Sequence, residues 1–86
     1  MNMIKTIVSV DGMACGMCEA HINDAIRAAF PVKKVTSSRA KKETIILSDE
    51  SLDHEAVKRV ITGAGYTPLS VTEEVIEKGL FHWGKG

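Results

Sequence analysis

At 86 residues the chain has room for one small domain, near the size at which a single core only just outweighs chain entropy, which excludes a large enclosed active site. Hydrophobic residues make up 44% and charged residues 26%, the balance of a globular domain rather than of a disordered or membrane-spanning chain. Lys and Arg number 11 and Asp and Glu 11, so a net charge of zero offers no whole-molecule attraction to nucleic acid or to a membrane.

Residues 3–10 are β-rich, with Ile4, Thr6, Val8 and Val10 on one face of a strand, and Asp11-Gly12 ends it in a turn. From Cys18 onward Ile22, Ala25, Ile26 and Ala29 recur at three- and four-residue spacing, the stripe of an amphipathic helix that Phe30-Pro31 terminates. Residues 32–38 and 43–48 read as two strands joined through Arg39-Ala40-Lys41-Lys42, a basic, solvated hairpin. Acidic residues come next: Glu43, Asp49, Glu50, Asp53 and Glu55. Asp53 is the expected N-cap of a second helix, with Val57, Val60, Ile61 and Ala64 as its apolar stripe and Gly63 and Gly65 at its end. Residues 66–72 read as a last short strand, and Val75 to Lys78 as a helical turn. Residues 79–86, with Leu80, Phe81 and Trp83, read as a flexible tail carrying exposed aromatics.

Strand, helix, strand, strand, helix, strand is an α+β order. It implies a ferredoxin-like βαββαβ sandwich, a four-stranded antiparallel sheet with two helices on one face. Residues 1–72 are expected to form this domain and residues 73–86 a C-terminal extension. The longest apolar runs span only a few residues, and no leader-like segment comes after Met1. The expectation is a cytoplasmic protein without direct membrane insertion. In that reducing compartment the two cysteines, Cys15 and Cys18, are metal ligands or redox thiols rather than a structural disulfide, which would close a tiny loop and stabilise little.

Met13-Ala14-Cys15-Gly16-Met17-Cys18 lies between the first strand and the first helix. Thiolates are the ligands that monovalent copper prefers, and two intervening residues let both sulfurs converge on one ion. Cys18 falls in the first helical turn, where the helix dipole favours the thiolate. Two sulfurs suffice for a near-linear monovalent copper ion, whereas zinc normally takes four ligands.

With Gly12-Met13-x-Cys15-x-x-Cys18 after the first strand and Gly65-Tyr66 before the last, the chain over residues 3–72 resembles the heavy-metal-associated domains. These are found in cytosolic copper chaperones and in the amino-terminal modules of copper-transporting P-type ATPases. The resemblance implies a metal carrier that is not an enzyme, with copper passed to such an ATPase or to its metal-binding domain through a shared three-sulfur intermediate. It also implies that Met13 packs inward and that Tyr66 sits beside the metal loop, as in bacterial chaperones. Ala14, where the family often has threonine or serine, and Glu19, where it commonly has an apolar residue, depart from the pattern.

His21, three residues after Cys18, shares its helix face one turn further in and is a candidate third ligand or sulfur hydrogen-bonding partner; a solvated helix histidine is the plainer alternative. Its coordination would favour zinc or divalent copper. Met13 is a thioether that also suits a core gap, Met17 offers polarizable contact area, and the Tyr66 hydroxyl either faces the metal loop or caps ordinary core packing. Other soft or borderline cargo, including zinc, mercury and cadmium, uses the same sulfurs. Two such loops can also share a metal in a homodimer. A thiol-disulfide oxidoreductase is the alternative class, but Gly16 and Met17 supply neither the proline nor the tryptophan such enzymes place around the pair. Nucleic acid is not an expected partner, since the first and third strands carry no aromatic side chains on which bases would stack.

Overall fold

The first ten-residue strand, β1 (Asn2–Asp11), alternates buried Thr6, Val8 and Val10 with half-exposed Lys5, Ile7 and Ser9, the period-two pattern of a sheet with one covered face. After it come α1 (Gly16–Ala29), β2 (Lys34–Ser38), β3 (Glu43–Ser48), α2 (His54–Gly63) and β4 (Thr67–Glu77). The computed structural model describes residues 2–14 and 16–77. Cys15 and the tail at 78–86, with Leu80, Phe81, His82 and Trp83, lie outside the described residues.

The four strands pair antiparallel in the order β2-β3-β1-β4. Val8, Val10, Val35 and Ile46 from the sheet meet Ile22 and Ile26 of α1 and Val57 and Ile61 of α2 in one core, with both helices on the same face. This is the ferredoxin-like sandwich that the element order implies. Where α1 crosses β2 and β3, the Ser37 Oγ hydroxyl donates to Asn23 Oδ1 at 2.6 Å, so the Thr44 Oγ1 hydroxyl 2.9 Å away must donate to Ser37. The hydroxyl of buried Thr6 has no such partner among the described residues.

Asp53 caps α2 as expected, accepting from the Glu55 backbone N–H at 3.0 Å. The opposite end of α2 closes in a Schellman motif: Tyr66 N–H donates to Ile61 O and Gly65 N–H to Thr62 O, with Gly65 at φ +101°. A side chain at Gly65 would strain that left-handed turn.

The expected helical turn at Val75 to Lys78 is overturned for residues 75–77, which continue β4 to Glu77. Asn2 to Thr6 of β1 present open ladder positions there, and Val75 and Ile76 are β-branched, so inter-strand bonds outcompete an isolated turn. The strand thus runs through the domain boundary expected at residue 72. One irregularity breaks its register: Ser9 opposes Ser70 and Val10 opposes Pro68, leaving Leu69 as a bulge. Pro68 has no N–H to donate, which suits an edge strand at such a break. Among the described residues no helix is long and apolar enough to cross a membrane.

Candidate metal centre

The end of β1 delivers the chain to the site through a tight turn. Gly12 adopts φ +100°, and its N–H donates to Asp11 Oδ1 at 3.0 Å. Met13 then tucks against the core, where an apolar thioether fills a gap and is drawn away from solvent. Cys18 is the third residue of α1 and half-buried, in the turn whose N–H groups lack intrahelical partners and favour negative charge. Met17 stands out at 82% exposure. Among the described residues no group of three or more His, Cys, Asp or Glu gathers to hold an ion.

Two neighbouring segments close around this loop. From the Schellman turn Tyr66 reaches back so that its Cδ1 lies 3.7 Å from where a Gly12 Cβ would stand. Its ring meets His21 edge-on, with centroids 5.9 Å apart at 78°, and its Oη lies 3.4 Å from His21 Nδ1. Tyr66 also packs partly against the core, so its ring anchors the loop while its hydroxyl faces outward. On the other side the hairpin at residues 39–42 is held to β1 by Val10 N–H donating to Lys42 O at 2.9 Å. Arg39 brings its guanidinium to 3.7 Å from the Cβ position of Gly16.

Glu19, whose carboxylate departs from the family pattern, accepts from the Arg39 backbone N–H at 2.7 Å. It ties the first turn of α1 to the basic hairpin. Residue order alone does not reveal this link, since the two residues lie 20 apart and only the packing of α1 over β2 brings them together. The one local signal is the unexpected carboxylate itself.

The structure therefore gathers Met13, Cys18, His21 and Tyr66 at one end of the sandwich, together with exposed Arg39, Lys41 and Lys42. His54 is elsewhere, at the start of α2 near the opposite end, with its Nε2 3.0 Å from Glu73 Oε1.

The family described as heavy-metal-associated domain matches residues 7–67. A copper-transporting ATPase of Rhizobium meliloti (strain 1021) is 30% identical over 77 residues, covering 90% of this chain and 9% of that protein. A probable copper-exporting P-type ATPase of Archaeoglobus fulgidus is 36% identical over 64 residues, covering 73% of this chain and 8% of that protein. The chain thus spans less than a tenth of the length of the two curated relatives. A yeast copper transporter domain, solved in apo and Cu(I)-loaded states, superimposes with a TM-score of 0.68 at 26% identity, over 86% of this chain and 96% of the other.

Proposed function

Since the chain belongs to the heavy-metal-associated domain family, we propose that it binds one monovalent copper ion between Cys15 and Cys18 and hands it to the metal-binding domain of a copper-transporting P-type ATPase. The observation that carries this reading is the seat of Cys18, half-buried in the first turn of α1 at an open end of the fold. The likeness to copper-transporting ATPases and to a copper-loaded domain supports it.

Transfer is a matter of coordination number. An ion held by two sulfurs leaves room for an incoming thiolate, so a partner sulfur forms its bond before one of the two here lets go, and the copper is never free. No electron moves in this exchange. The open end also suits docking: Met17 offers apolar, polarizable area, and Arg39, Lys41 and Lys42 suit an acidic partner surface, where opposed charge speeds encounter. In this reading the protein is a cytoplasmic carrier, not an enzyme, and two copies can share one ion through four thiolates when metal exceeds acceptor.

The test is anaerobic titration of the reduced chain with monovalent copper against a competing chelator, beside Cys15→Ser/Cys18→Ser. Tight binding at one ion per chain or per pair that the double variant loses is the expected result. Copper binding that survives loss of both thiols would overturn the proposal.

A further inference from the structure

The His21–Tyr66 contact bears on which ions the loop accepts, provided that Cys15 and Cys18 are the metal ligands proposed above. Helical side chains lean toward the N-terminus, so His21 leans over the turn that carries Cys18. Residues three apart on a helix stand about 5–6 Å apart at Cβ. A tetrahedral ion with sulfur at about 2.3 Å and imidazole nitrogen at about 2.0 Å spans that gap. The ring is exposed, with its Nδ1 facing the Tyr66 hydroxyl at 3.4 Å and its plane set edge-on to the Tyr66 ring. A ring that donates its Nδ1 proton to the phenol oxygen keeps the Nε2 lone pair for a metal, the arrangement in which one imidazole nitrogen ligates while the other is held by an oxygen.

We infer that His21, oriented through Nδ1 by the Tyr66 hydroxyl, is the third protein ligand for a divalent zinc ion at the Cys15–Cys18 loop, whereas monovalent copper leaves it unligated. The difference lies in the ions. Monovalent copper is satisfied by two soft sulfurs, but zinc takes four ligands from sulfur, nitrogen and oxygen, and two thiolates alone leave it half-coordinated. Water completes the zinc site. His21 therefore sets how far zinc can compete with copper, and Tyr66 is a positioning residue that acts through it.

The experiment titrates the full chain, anaerobically and reduced, with zinc against a chromophoric chelator and with monovalent copper against its own chelator, in wild type, His21→Ala, Tyr66→Phe and Cys15→Ser/Cys18→Ser. Divalent cobalt serves as a coloured stand-in for zinc. Tyr66→Phe should weaken zinc about ten-fold, the low end of the range for residues that orient a metal-binding histidine. His21→Ala should weaken it further and change the cobalt absorption bands, with copper affinity unchanged in both. Zinc affinity and cobalt bands unaltered in His21→Ala, or zinc and copper falling together, would overturn the inference. Loss of both ions in the cysteine variant alone would leave the copper reading standing while this one falls. Retention of both ions there would instead sink the parent reading.

Discussion

The two ends of the sandwich differ in charge and in what holds them. At the thiol end the exposed hairpin contributes Arg39, Lys41 and Lys42, and the contacts come from residues far apart in the chain: Tyr66 to His21, Glu19 to Arg39, Lys42 to Val10. At the other end Asp49, Glu50 and Asp53 line an open apolar groove with Phe30, Pro31 and Leu52. Glu73 there is held from two sides, by the Ser51 hydroxyl at 2.7 Å and by His54 Nε2 at 3.0 Å. The β1–β4 ladder also runs on past this point to Asn2 and Glu77. The ladder also reaches the thiol end, where Asp11 opposes Thr67, but there the Gly12 turn, the basic hairpin and the Schellman turn lean on one another across exposed surface. The proposed carrier role suits that arrangement, because elements that exchange a ligand come from the less stable part of a structure.

The largest effect should come from the core that both ends share. Ile46 is fully buried between the sheet and the helices, and Ile46→Ala should cost about 2–5 kcal/mol, much of a small domain's stability. Urea unfolding followed by circular dichroism and by copper release should then shift together. Separate transitions would show that the two ends fold independently.

A smaller and one-sided effect is expected at Gly12. Its φ of +100° disfavours any side chain, while the nearest atom to an added Cβ, Tyr66 Cδ1 at 3.7 Å, is at ordinary contact distance. Gly12→Ala should therefore cost about 1–2 kcal/mol through the backbone alone. Amide exchange should quicken at the thiol end and copper binding weaken, with the Ser51–Glu73 end unchanged. Uniform quickening would abolish the contrast.

The smallest effect concerns acid at the opposite end. The Ser51 hydroxyl first, and His54 second, hold the Glu73 carboxyl below its usual range. A carboxyl lowered in the folded state stabilises the fold fully above its ordinary value, and that contribution is lost as pH falls through the lowered one. Urea midpoints of wild type should drop more on acidification than those of Glu73→Gln. Equal slopes would show that Glu73 contributes nothing to acid sensitivity.

Much of this architecture is legible from residue order because the signals are local. Val8 and Val10 at period two, and Ile22, Ile26, Val57 and Ile61 at helical spacing, name most of the core, and Asp53 and Gly65 mark the ends of α2. The thiol pair marks the proposed site by its chemistry alone. The rest depends on what lies opposite in space. Residues 75–77 become strand only because β1 offers them a ladder, and Tyr66 finds His21 across 45 positions of sequence. The family resemblance places Tyr66 near the loop, but not its hydroxyl on that imidazole.

The pairing of Asn2 with Glu77 has a consequence for how this domain can be attached to other things. Residues opposed across antiparallel strands have Cα atoms about 4.5–5.5 Å apart. The incoming and outgoing backbone therefore pass side by side, at the end farthest from the thiols. A tether, a fused neighbour or an immobilising surface joined at either position leaves the Cys18 end of the fold clear, and one joined at both need barely spread its two attachment points.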